Sequence, residues 1–172
     1  DGGAIALDLQ DDDLPNVWKD LIAGDIAITD KDKGHSKNLV ILRSNGTPTY
    51  NFSSIIDDME SGVNLIVRGT DHISNTPKQI AVLSALTKLT GDDSYIKNLD
   101  FAHVGLVFEK GAKLSKRSGN SNLDSYKDEG IDPDAILNWI LRLGWNPTDP
   151  EFDKSTPTID KELAKKMFWT DG

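Results

Sequence analysis

Residues 111–120 read GAKLSKRSGN and set three cations, Lys113, Lys116 and Arg117, and two hydroxyls, Ser115 and Ser118, between Gly111 and Gly119. The chain around them is acidic, with a formal net charge of −9, so a local cationic loop is a candidate anion holder. A second set of candidates follows the apolar run VNLIVRG: Arg68, then Asp71 and His72. A guanidinium offers a planar fork suited to a carboxylate, whereas a lysine is a mobile point charge suited to phosphate. Together the two sets point to a small ligand with a carboxylate at one end and a polyphosphate at the other. Plainer readings stand beside these. A lysine-rich loop is by default solvated, an arginine at a strand end is by default a surface or ion-pair residue, His72 suits the start of a helix, and Tyr50 after Thr-Pro-Thr is equally a core aromatic.

The elements that must position these residues read as follows. VNLIVRG is a near-continuous apolar run closed by glycine, as expected of a strand buried on both faces of a parallel sheet. TPKQIAVLSALTKLTG predicts a helix, with Thr76 as cap, Pro77 at the first position, Gln79 completing a capping box, an apolar stripe at Val82, Leu86 and Leu89, and Gly91 as terminator. FAHVGLVF predicts a second buried strand, which makes a strand–helix–strand unit. Open sheets of this kind bind ligands beyond the carboxyl ends of their strands. The loops after Arg68 and after FAHVGLVF are therefore expected to face one crevice.

Upstream, AIALDL, DIAIT and NLVILRS read as short strands, the first as a hairpin arm without a visible partner. Asn45-Gly46 marks a tight turn and FSSIIDDMESG a short helix ended by Gly62. Downstream the pattern turns helical: NLDSYKDEG, then DPDAILNWILRLGW with Asp132 as cap and Gly144 as terminator, then TIDKELAKKMFW. The fold class is α/β. No apolar run approaches the roughly 20 residues of a membrane span and no signal segment opens the sequence, so a cytoplasmic protein is the default expectation. There is no cysteine, and His35, His72 and His103 are too widely spaced for a local zinc pattern, so no structural metal is expected. The chain opens on DGGAIALDL and closes on MFWTDG, both in mid-pattern, which predicts boundaries cut at both ends.

At this point the residues carry a resemblance. KLSKR, at Lys113 to Arg117, resembles the KMSKS-type signature of class I aminoacyl-tRNA synthetases in the form typical of glutamyl-tRNA synthetase. VRGTDHISNTPKQI resembles that family's V-I-R-G-E-D-H-L-S-N-T-P-R-Q segment, GTPTYNF its G-T-P-T-Y-N segment, and ILNWILRLGW its A-L-L-N-Y-L-A-L-L-G-W. The four ordered matches are spread through residues 40–145.

The resemblance implies a reaction in which glutamate attacks the α-phosphate of ATP and the glutamyl-adenylate passes its acyl group to the 3′-terminal ribose of tRNA(Glu). It implies that Lys116, helped by Lys113 and Ser115, stabilises the departing pyrophosphate, with Arg117 also on the ATP side. A preorganised group of this type is worth on the order of 3 kcal/mol. It further implies that Tyr50 and Arg68 contact the amino acid, Arg68 at the side-chain carboxylate, and that Asp71, His72 and Asn75 line the same crevice. Mg²⁺ would come with ATP. On this pattern residues 1–46 end an acceptor-stem-binding insertion, residues 47–110 are the second half of a Rossmann-type catalytic fold, and residues 111–172 are the lysine loop and a helical stem-contact region. Thr70 and Ser118 depart from the family pattern, in place of an acidic residue and a frequent histidine. The family's H-I-G-H motif does not occur in this sequence, so the chain is expected to hold half of an active site, to need the N-terminal half of the catalytic domain as partner, and to be inactive alone. Two other readings are a non-catalytic protein that binds tRNA or adenylate, derived from a truncated synthetase, and the paralogue that glutamylates the modified tRNA base queuosine. The helical region after Gly119 speaks against the latter, which is shortened there.

Overall fold

A computed structural model describes residues 3–10, 13–109, 112–113, 123–142 and 158–170, with the backbone alone at 109, 112, 113 and 168–170. It divides into two compact units, residues 1–103 and 104–172.

In the first unit Val17–Asp20 (β2) and Gly24–Ala27 (β3) form an antiparallel hairpin in which Trp18 faces Ile26 and Asp20 faces Gly24. The turn is tied by Asp20, whose Oδ1 accepts the backbone N–H groups of Ile22 at 2.9 Å and Ala23 at 2.8 Å. Gly24 then takes a left-handed φ of 77°, open to glycine without strain. Strand β2 runs parallel to Asp100–Val104 (β6), with Asp20 opposite Phe101. Leu65–Gly69 (β5) lies on the other side of β6, giving the sheet order β3-β2-β6-β5.

Sequence reasoning did not find β2, because its four residues alternate buried and exposed within a polar stretch. It also left the first strand unpartnered, whereas Ile5–Ala6 (β1) pairs antiparallel with Val40–Leu42 (β4) across an irregular register. Nor is β5 covered on both faces. Ile66 is buried but Val67 is 54% exposed, because β5 is the edge strand of the described sheet.

The helices close over this sheet. Asp30–Lys37 (α1) starts on a Thr29–Asp32 capping box, and Tyr50–Glu60 (α2) buries Ile55 completely. A 3₁₀ turn, Thr70–Asn75, leads into Thr76–Thr90 (α3). Here the expected capping box is absent: the helix follows directly on the 3₁₀ turn with Asn75 already helical, and the side chains of Thr76 and Gln79 are engaged elsewhere. The buried part of α3 is its first two turns, with Thr76, Pro77 and Gln79 to Leu83 enclosed, and Leu89, assigned to the apolar stripe, is 83% exposed in the last turn. Gly91 ends the helix at φ 74°, as expected. A short helix, Ser94–Lys97 (α4), returns the chain to β6. Leu9, Leu14, Trp18, Ile28, Ile55, Ile66 and the α3 face form one core with Leu99 and Phe101, and the Trp18 ring meets Phe101 edge-on at 5.7 Å.

In the second unit Phe108–Glu109 (β7) and Ala112–Lys113 (β8) pair antiparallel. The strand predicted over FAHVGLVF therefore stops at Val104, and Phe108 belongs to this separate hairpin. Leu123–Asp128 (α5) and Pro133–Leu141 (α6) follow, α6 capped by Asp132, which accepts the N–H of Asp134. Gly144 lies outside the described residues. Lys161–Thr170 (α7) is capped by Asp160, and Asn138 of α6 joins its start by donating to the Ile159 carbonyl and accepting the Ile159 N–H.

Candidate active site at the end of strand β5

Arg68 is the penultimate residue of β5, so its side chain leaves the sheet where the chain turns into the 3₁₀ segment. Its Nε donates to Nε2 of His103 at 2.9 Å, and its Nη2 donates to Thr76 Oγ1 at 2.7 Å and to the His72 carbonyl at 3.4 Å. The guanidinium carbon stands 5.7 Å from the centre of the Phe101 ring. Burial pulls the Arg68 pKa down, and the Tyr50 hydroxyl and the carboxylates of Asp58 and Asp20 oppose that fall. Arginine remains a cation throughout the physiological range. A hydrogen bond with the Tyr50 side chain is among the interactions that favour the charged guanidinium.

Behind Arg68 the network continues into the sheet. His103 Nδ1 lies 2.6 Å from Oδ2 of Asp20, and both side chains are inaccessible to solvent. The His103 backbone N–H also points at this carboxylate, 3.1 Å from Oδ2. Burial raises the Asp20 pKa, but the hydrogen bonds from the Ala23 N–H, the His103 ring and the Ile22 and His103 N–H groups outweigh it and hold the carboxyl below its ordinary value. The imidazole packs against two aromatic rings, edge-on to Trp18 at 5.6 Å and stacked with Phe101 at 6.4 Å.

Around the mouth, Tyr50 opens α2, half exposed, with its hydroxyl 3.4 Å from His72 Nδ1. Asn75 Nδ2 lies 3.1 Å from the same nitrogen, and His72 Nε2 lies 3.9 Å from Asp71. Four of the expected substrate residues, Tyr50, Arg68, His72 and Asn75, are thus brought into one hydrogen-bonded group, with Asp71 at its exposed margin. Of the expected lysine-loop residues, Lys113 is placed by its backbone opposite Phe108, while Ser115, Lys116 and Arg117 lie outside the described residues. Among the described residues no group of three or more His, Asp or Glu could hold a metal ion.

Sequence reasoning missed Asp20, Thr76 and His103. For His103 a signal existed: a histidine between Ala102 and Val104 in an apolar strand is a buried polar group that demands partners. For Asp20, 83 residues away from His103, the sequence carries only a local turn signal.

This arrangement can grip an anion at a preset cation. The chain is 36% identical over 166 residues to the glutamate–tRNA ligase of Methylobacillus flagellatus, covering 89% of this chain and 33% of that protein. It is 36% identical over 170 residues to that of Neisseria gonorrhoeae, covering 90% and 34%. The chain thus spans about a third of the length of the curated relatives it matches. Among solved structures, a glutamate tRNA ligase from Elizabethkingia meningosepticum in complex with its amino acid matches with a TM-score of 0.59 at 25% identity, covering 88% of this chain and 31% of that one. A glutamate-tRNA synthetase from Elizabethkingia anophelis matches with a TM-score of 0.53 at 25% identity, covering 88% and 35%. Residues 6–168 match the family model of class I tRNA synthetases (E and Q), catalytic domain, and the chain therefore belongs to that family.

Proposed function

We propose that this chain supplies the amino-acid pocket and the KLSKR loop of a glutamate–tRNA ligase, acting on glutamate, MgATP and tRNA(Glu). The observation that carries this reading is Arg68, a half-buried cation at a strand end, held through Nε and Nη2 and flanked by Tyr50 and His72. A carboxylate is the anion that matches a guanidinium edge. In the reaction an α-carboxylate oxygen of glutamate attacks the α-phosphorus of ATP, the bond to the β-phosphate oxygen breaks, and pyrophosphate leaves. A ribose hydroxyl of the tRNA end then takes the acyl group and AMP departs. Arg68 binds the side-chain carboxylate and selects glutamate; Tyr50, His72, Asn75 and Asp71 shape the mouth around it. Lys116, with Lys113, Ser115 and Arg117, neutralises the pyrophosphate as its charge develops. Among the described residues no helix is long and apolar enough to cross a membrane, and a cytoplasmic place of action goes with this reading.

The test is calorimetric titration of the chain with the sulfamoyl analogue of glutamyl-adenylate, on the parent and on Arg68→Ala. Saturable binding that weakens by about thirtyfold or more in the variant is the expected result, the size expected when one partner of a desolvated charge pair is removed. Binding that is indifferent to Arg68→Ala would overturn the pocket.

A further inference from the structure

We propose that Asp20 and His103 are positioning residues that set the orientation of the Arg68 guanidinium toward a ligand carboxylate. The inference rests on the reading of Arg68 as the amino-acid contact and extends that site by two buried residues behind it. The three side chains come from three neighbouring strands, Asp20 from β2, His103 from β6 and Arg68 from β5. The relay therefore crosses the sheet rung by rung, on backbone that the strand ladder already fixes.

The direction of each hydrogen bond is determined. Arginine has only donors, so the 2.9 Å contact from Arg68 Nε makes His103 Nε2 an acceptor. The ring proton must then sit on Nδ1, where it donates to Asp20 across 2.6 Å. The Asp20 carboxylate is itself pinned by the N–H groups of Ile22, Ala23 and His103, and the imidazole packs against the Trp18 and Phe101 rings. An arginine is otherwise rich in rotamers, and one fixed in advance loses less freedom when its ligand arrives. The carboxylate also supplies through the ring a negative charge that favours the half-buried cation.

Two substitutions at His103 separate positioning from simple structural support. Glutamine can carry an acceptor to the place of Nε2 and so keep the bond to Arg68. Asparagine can carry a donor to the place of Nδ1 and so keep the bond to Asp20, but reaches Arg68 not at all. The experiment measures dissociation constants of the sulfamoyl analogues of glutamyl- and glutaminyl-adenylate for the parent, Arg68→Ala, His103→Gln and His103→Asn. It also determines the His103 tautomer in the ligand-free parent by ¹⁵N NMR. Damage that is merely structural weakens both analogues alike and leaves their ratio unchanged.

The expected result is an Nδ1-protonated ring, a preference for the glutamyl analogue that falls by about tenfold or more in His103→Asn, and retention within about threefold in His103→Gln, since charge-assisted bonds to a fixed fork carry the preference. A ring protonated at Nε2 overturns the proposal without any variant, and so covers the case in which a variant fails to fold. The reverse order of the two variants, or an unchanged ratio in both while Arg68→Ala abolishes it, overturns the relay and leaves the proposed function standing. A parent that binds neither analogue even with the N-terminal half of the catalytic domain present overturns the reading of Arg68 and this proposal with it.

Discussion

Nε2 of His103 faces Nε of Arg68 at 2.9 Å, while Nδ1 on the other side of the ring faces Oδ2 of Asp20 at 2.6 Å. Every group around the Asp20 carboxylate is a donor: the N–H groups of Ile22 and Ala23 on Oδ1, and the N–H and ring of His103 on Oδ2. A carboxylate satisfies all of them. An amide cannot, because whichever way it is flipped its NH₂ group meets donors. Asp20→Asn is therefore expected to cost about 2–3 kcal/mol despite its near-identical shape, and Asp20→Ala, which leaves several buried donors without an acceptor, at least as much, about 3 kcal/mol or more. Urea unfolding that shows the midpoint falling at constant slope checks both. An Asn variant as stable as the parent would mean that the carboxylate charge is not needed.

The lysine loop calls for a kinetic test. On the proposed reading Lys116 acts when pyrophosphate departs, and Arg68 acts when glutamate binds. With the N-terminal half of the catalytic domain present, Lys116→Ala is expected to slow glutamate-dependent ATP–pyrophosphate exchange by about 10²-fold with little change in the KM for glutamate. Arg68→Ala is expected to raise that KM. A Lys116→Ala variant whose whole effect falls on the KM for glutamate would contradict the division of roles.

What the sequence made legible follows from range. Gly91 at a left-handed φ, Asp132 capping α6, and the succession β5, α3, β6 all depend on residues within a turn or two of one another, and all were read correctly. Arg68 and His72 were singled out by their place after an apolar strand, Tyr50 and Asn75 by segments that resemble a family pattern, and the structure brings the four side chains together. The Asp20–His103 pair was not found because it joins two elements through a parallel register, and nothing near Asp20 marks β2 as a strand of the central sheet. Thr76 misled for a physical reason. It has the type and position of a helix cap, but its hydroxyl accepts from Arg68 instead, a use that depends on tertiary structure and outweighs the cap.

The buried face of α3 offers a stability contrast. Leu83 is 2% exposed and Leu89 is 83% exposed, one and a half turns further along the same helix. Leu83→Ala is expected to destabilise by about 2–5 kcal/mol, the transfer cost plus the cavity left behind. Leu89→Ala is expected to stay within about 0.5 kcal/mol of the parent. Thermal or urea unfolding of the two variants checks this. Equal losses would place Leu89 against a surface beyond the described residues.

The pH dependence of stability should report Asp20 directly. Its carboxyl is held below the ordinary value in the fold, because the hydrogen bonds it accepts outweigh the opposing effect of burial. A group whose folded pKa lies below its unfolded one favours the folded state when ionised. Its contribution is fully present above the unfolded value, about 4, and fades as pH falls through that value toward the folded one. Asp13, Asp32 and Asp92 are also held low, so acid destabilisation of the parent alone would not single out Asp20. The difference in unfolding free energy between the parent and Asp20→Asn does, because the other carboxylates are common to both and cancel. That difference is expected to be flat from about pH 7 to pH 5 and to shrink as pH is lowered from about 4 toward 3, as the parent's carboxylate takes up its proton. A difference constant over the whole range would mean that Asp20 is not the group whose ionisation the buried donors stabilise.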